Sequence, residues 1–115
     1  MDVDRELRAP AGAITLVDEA PDRRVLCLRG DVDTAVATRF TSAQGRVVVD
    51  AIDAGDVTFI SSSGLALMLL CAEASTAAGH RPVLRASSRP IDRALQLAGI
   101  DTVFPRPGAE DAPPS

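Results

Sequence analysis

The sequence predicts an α/β fold built on a mixed β-sheet of four to five strands that opens with a hairpin. Three observations predict it. Two strand-like runs near the start, Ala13 to Val17 and Arg24 to Arg29, are separated only by the turn residues Glu19, Ala20, Pro21 and Asp22. After Gly30, strand and helix signals alternate, a pattern that calls for parallel pairing through right-handed crossovers. The apolar residues are mainly Val, Leu, Ile and Ala, with three Phe and no Trp or Tyr, so the core is aliphatic.

Each element has a local reason. Gly30 is expected to break the second strand. Asp33 or Thr34 then caps a helix on which Val36, Phe40 and Ala43 recur at i, i+4 and i+7, and Gly45 ends it. Arg46 to Asp50 contains Val47-Val48-Val49, a β-branched run expected of a strand buried on both faces. Asp53-Ala54-Gly55-Asp56 reads as a turn, and Val57 to Ile60 leads out of it into Ser61-Ser62-Ser63-Gly64-Leu65. From Ser63 to about Ala78 runs the longest predicted helix, closed by Gly79. Pro82 to Ala86 is another strand. Ser87 or Ser88 caps a helix with Pro90 in its first turn, where a missing N–H costs little, and with Ile91, Ala94, Leu95 and Ala98 on its buried face. Gly99 stops that helix, and Thr102 to Phe104 is expected to add a last short strand. Helices should pack mainly on one face of the sheet. The folded domain is placed at residues 13–104, with a flexible N-terminus at 1–12 and a disordered, Pro-rich acidic tail at 105–115.

Bulk properties exclude several classes of function. With 115 residues the chain accommodates one domain. A net charge of −4 argues against binding a phosphate backbone, and three Phe argue against stacking on single strands, so no direct nucleic-acid contact is expected. The charged start, Met1 to Arg8, has no apolar core of a secretory signal, and no apolar run is long enough for a bilayer. The expected location is the cytoplasm, without membrane insertion. Cys27 and Cys71 lie in apolar surroundings without metal-ligand spacing and read as buried thiols, with a redox pair as the alternative.

Enzymatic chemistry lacks its groups. His80 is the only histidine and follows the long predicted helix, roughly 24 Å by helical rise from the serines at its start. A Ser-His-Asp triad is therefore not expected, Gly-x-Ser-x-Gly is absent, and no phosphate-binding Gly-Lys loop exists. Asp31, Asp33, Asp50, Asp53 and Asp56 are explained by turns and caps; their spacing does not match a calcium loop, and no metal site is expected.

The serine loop is the informative feature. Hydroxyls between a strand and a helix are natural N-caps, and the same place favours a phosphate, since free N–H groups and the helix dipole attract negative charge. Leu26-Cys27-Leu28-Arg29-Gly30-Asp31-Val32-Asp33, Val47-Val48-Val49-Asp50 and Phe59-Ile60-Ser61-Ser62-Ser63-Gly64-Leu65, in this order, resemble the STAS domain of bacterial anti-sigma factor antagonists, over roughly Ala13 to Phe104. The resemblance implies that the serine before the glycine, Ser63 (Ser62 second), is phosphorylated. It implies a non-enzymatic partner switch. The unmodified domain binds an anti-sigma factor that is also a serine kinase, which frees a sigma factor; phosphorylation ends the binding, and a phosphatase would restore it. The kinase supplies ATP and magnesium, so no cofactor is expected here. Asp33, Ser61, Ser62, Ser63, Gly64, Leu67 and Met68 are the candidate partner-binding residues, on the expectation that part of the helix near Gly64, Leu67 and Met68 is exposed. Ser61 departs from the family pattern, which has Asp there, and the family's usual last helix has no counterpart after Phe104. Two other readings keep the fold: an accessory subunit of a lipid-transport ABC system, in which the serines only cap, and a sensor whose loop N–H groups hold a small anion or nucleotide.

Overall fold

A computed structural model of the chain describes residues 11–107. Four strands, β1 (Ala13–Ala20), β2 (Arg23–Val32), β3 (Ala51–Ile60) and β4 (Val83–Ser87), lie in the order β1-β2-β3-β4. β1 and β2 form the antiparallel hairpin, while β2–β3 and β3–β4 are parallel. Helices α1 (Thr34–Gln44), α2 (Ser62–Ala77) and α3 (Arg89–Ala98) provide the crossovers and the last packing element, followed by a 3₁₀ turn at Asp101–Val103.

Parallel strands force side chains level in register to the same face. Leu26, Ile52 and Leu84 form one such row. They join Leu28, Val32 and Ala54 in a single core cluster with Ala37 of α1, Met68 and Cys71 of α2, and Ile91 and Leu95 of α3. All three helices therefore cover one face. The opposite face carries Cys27, Asp53 and Arg85, with Glu19 held by Arg85 through two contacts of 2.8 and 2.7 Å.

Several expectations are corrected. Gly30 does not end β2: at φ 70° it lets the strand bulge and continue to Val32. The predicted turn at residues 53–56 lies inside β3. Cys27 pairs with Asp53 and Arg29 with Asp56, so the turn-type residues accommodate a bulge, and ladder partners on β2 override their local preference. The predicted strand Arg46–Asp50 is irregular over Val47–Val49, although Val47 and Val49 are buried as expected. Val47 and Val49 bond to α2, the Val49 N–H donating to Ser75 Oγ at 2.9 Å and the Cys71 thiol to the Val47 carbonyl, while the Asp50 N–H donates to the Arg24 carbonyl and the Asp50 carbonyl accepts from the Val83 N–H. Asp50, expected to end that strand, instead immediately precedes β3, and Asp53 lies within it. Thr102–Phe104 is not a strand; a 3₁₀ turn instead drops Phe104 into the core.

At the domain edges, Ala11 bridges to Asp31 and the Leu84 N–H donates to the Pro105 carbonyl. Arg106 reaches Asp92 and Ser87. Ala11, Gly12, Pro105 and Arg106 therefore belong to the packed unit, whereas the rest of the expected flexible N-terminus and all of the expected tail after residue 107 lie outside the described residues.

Candidate functional site

β2 and β3 are adjacent and parallel, so both deliver their chains to the same end of the sheet. Val32 is level with Ile60, and the Ser61 N–H donates to the Val32 carbonyl at 2.9 Å. A helix begins immediately beyond each strand. Asp33 caps α1, its carboxylate accepting from the Val36 N–H at 2.9 Å. Ser61 caps α2, its hydroxyl accepting from the Gly64 N–H at 3.1 Å. The two first turns consequently lie side by side, and Ser63 Oγ is 3.4 Å from Thr34 Oγ1.

Capping by Ser61 has a chemical consequence. It satisfies the Gly64 N–H, so Ser63 is not needed to start the helix. In helical geometry the N–H groups of Ser62 and Ser63 have no carbonyl one turn back. The first turns of α1 and α2 carry no acidic side chain. An anion on Ser63 Oγ would therefore sit near the positive ends of two helices and beside the Thr34 hydroxyl, with the cap carboxylate of Asp33 as the nearby negative group.

Gly64 fixes this geometry. A Cβ there would lie 2.8 Å from Ile60 Cγ1 and 3.0 Å from Val32 Cγ1. Only a residue without a side chain lets α2 approach the ends of both strands so closely.

The expected partner-binding residues divide. Ser62 is exposed, Ser61 and Ser63 are half-buried, and Asp33 is exposed while capping α1. Gly64, Leu67 and Met68 are buried, the last completely, so they offer no exposed apolar surface. A helix apolar all round gives no preferred face in sequence, and here the crossover places Leu67 and Met68 toward the sheet and α1. The exposed large apolar side chains nearby are Phe59, two residues before Ser61, and Leu70, two turns into α2. In the sequence Thr34 is offered only as an alternative cap of α1, and neither it nor Phe59 or Leu70 is among the expected partner-binding residues. No local pattern marks the meeting of Thr34 with Ser63, because it depends on which strands are neighbours.

The other polar candidates lie elsewhere. His80 Nδ1 is 2.7 Å from Asp50 Oδ1 at the far end of α2. Asp50 also accepts from the Arg24 N–H, which, with the His80 contact second, holds its carboxyl below the ordinary range. The Ser75 hydroxyl, fully buried, donates to the Cys71 carbonyl and accepts from Val49, so it is no nucleophile for His80. Among the described residues no three His, Cys, Asp or Glu side chains converge on a metal position. Both cysteines are free thiols. Burial pushes the Cys71 thiol up to about 11 and raises that of Cys27, which disfavours the reactive thiolate at either. Among the described residues no helix is long and apolar enough to cross a membrane.

No family model matches the chain, and no curated protein matches it significantly. Solved structures do. The chain is similar to the Bacillus cell fate determinant SpoIIAA in its phosphorylated form, with TM-score 0.61 and 21% identity, over 86% of this chain and 95% of that one. It is also similar to the anti-sigma factor antagonist SpoIIAA in its unphosphorylated form, with TM-score 0.65 and 21% identity, over 86% and 91%. The shared property is the fold, the open mixed sheet of the STAS type expected from the sequence.

Proposed function

We propose that this chain is an anti-sigma factor antagonist of the cytoplasm, a binding protein rather than an enzyme, whose hold on an anti-sigma factor is controlled by phosphorylation of Ser63. The observation that carries the reading is the division of labour in the serine loop. Ser61 caps α2, and Ser63 presents its hydroxyl where two helix N-termini meet. The fold of a protein solved in both phosphorylated and unphosphorylated forms supports it.

In this mechanism the partner is a serine kinase that supplies ATP and magnesium. Ser63 Oγ attacks the γ-phosphorus, the bond from that phosphorus to the ADP oxygen breaks, and the hydroxyl proton passes to a base on the kinase. The product carries about −1.5 to −2 charges. Two helix starts stabilise that charge, so the domain stays folded and the effect falls on the interface. A partner surface seated over Ser63 would have to bury a dianion or set its own carboxylates against it, and it leaves. A phosphatase resets the site. Ser61 in place of an acid preserves the cap, since Ser and Asp cap comparably, and lowers the negative charge of the unmodified surface by one.

The test is phosphorylation of the full chain by the anti-sigma kinases of its source organism, with site mapping and a binding assay. Phosphate on Ser63, its loss in Ser63→Ala, and continued binding by Ser63→Ala are expected. Phosphate that stays on Ser62 in Ser63→Ala, or equal binding of modified and unmodified chain, would overturn the reading.

A further inference from the structure

We propose that β1 is a self-pairing edge through which two copies of this chain join into one continuous sheet. The two sheet edges are treated differently. β4 has five residues and gives its Leu84 N–H to the Pro105 carbonyl, so its edge is short and partly covered. β1 has eight residues, and among the described residues nothing is hydrogen bonded to its outer side. The usual protections of an edge are confined to its C-terminal end, where Asp18 and Glu19 lie and a bulge falls between Asp18 and Ala20; it contains no Pro or Lys. An apolar groove runs beside it, between Ile14 and Leu16 on the strand and Val36 and Phe40 on α1.

The charge pattern selects the occupant. The acids of β1, Asp18 and Glu19, are confined to its C-terminal end. A parallel copy would set Asp18 beside Asp18 and Glu19 beside Glu19, which is unfavourable. An antiparallel copy with Thr15 on the two-fold axis sets Ile14 opposite Leu16, Ala13 opposite Val17, and Asp18 opposite Gly12. Apolar residues then meet apolar residues and no like charges face each other. Shifting the axis to Leu16 would set Ile14 against Asp18. Side chains directly opposite share a face, so the Ile14–Leu16 contacts fall on the helix side, over the groove, and the 41%-exposed Val17 is covered on the other. The contact is isologous and closes as a dimer with an eight-stranded sheet.

Sedimentation of the full chain across the micromolar range tests this, together with two substitutions at an exposed position. The wild type should reach twice its monomer mass. Thr15→Lys, which sets two ammonium groups against each other on the axis, should sediment as a monomer with unchanged circular dichroism. In a Cys27→Ser background, needed because Cys27 is the hairpin partner of Thr15, Thr15→Cys should oxidise to a covalent dimer with a mild disulfide reagent, whereas Val17→Cys should not. A wild type that stays monomeric at every concentration overturns the proposal, as does a dimer that survives Thr15→Lys or equal cross-linking through Val17→Cys.

Discussion

Replacing Gly64 with alanine tests how the α2 start is built. At an ordinary helical position the change would be favourable by about 1 kcal/mol, because glycine is a poor helix former. Here the new methyl would meet Ile60 Cγ1 at 2.8 Å, Val32 Cγ1 at 3.0 Å and Ile60 Cδ1 at 3.2 Å. Two of these atoms are branches close to the backbone rather than free ends, and Val32 is stiff at χ1. Val32 is fully buried and Ile60 nearly so, which leaves them little room to give. Overpacking costs about 1–3 kcal/mol, and the 2.8 Å contact puts this site in the upper half of that range, so after the helical gain the net loss is expected near 1–2 kcal/mol, at roughly 4–8 °C in Tm for each kcal/mol. Urea unfolding should show a lower midpoint at unchanged slope. Because the strain is shared with Ile60, the double variant Gly64→Ala/Ile60→Ala should lose less than the sum of the single losses. A Gly64→Ala protein as stable as the wild type would refute the close approach of α2 to β2 and β3.

Three further outcomes are expected. Ser61→Ala removes the acceptor of the Gly64 N–H and should cost about 1 kcal/mol in urea unfolding, whereas Ser61→Asp should retain the wild-type midpoint or exceed it. Ser75→Ala leaves the buried Val49 N–H without its acceptor, at about 1–3 kcal/mol, and should accelerate hydrogen exchange at the Val49 amide. Asp50 has its carboxyl pKa depressed by the Arg24 N–H and then by His80. Its contribution is therefore present above the unfolded carboxylate range, about 3.9, and is lost as pH falls through the lower folded value. Melting curves from pH 7 to 3 should show a shallower acid loss for Asp50→Asn than for the wild type; equal slopes would contradict it.

How much was legible follows from how local the physics is. The α1 boundaries at Asp33 and Gly45, the Ser61-to-Ser63 start of α2 and the Gly99 stop of α3 depend on caps within a few residues, and the sequence carries them directly. The hairpin and the parallel order follow from the spacing of strand and helix signals. Residues 53–56 misled because Asp, Gly and Asp favour a turn when isolated, while two neighbouring strands supply ladder partners that only the folded sheet reveals. Val47–Val49 misled for the opposite reason: β-branched residues suit a strand, but Ser75 and Cys71 take the backbone bonds. In the serine loop, the residue types marked the helix start. The proximity of Thr34, the burial of Leu67 and Met68, and the exposure of Phe59 and Leu70 are set by strand order and helix rotation.

The two ends of α2 are both tied down. Its first turn is seated without clearance against Val32 and Ile60, and its fourth turn is bonded through Ser75 to the chain entering β3. A rod held at both ends can neither slide along the sheet nor turn about its axis without breaking one of those contacts. A change at the hydroxyl at its tip therefore meets two fixed contacts before it can move the helix. Under the proposed switch, a modification there is expected to alter potential at constant shape, and a partner that responds would measure charge at close range.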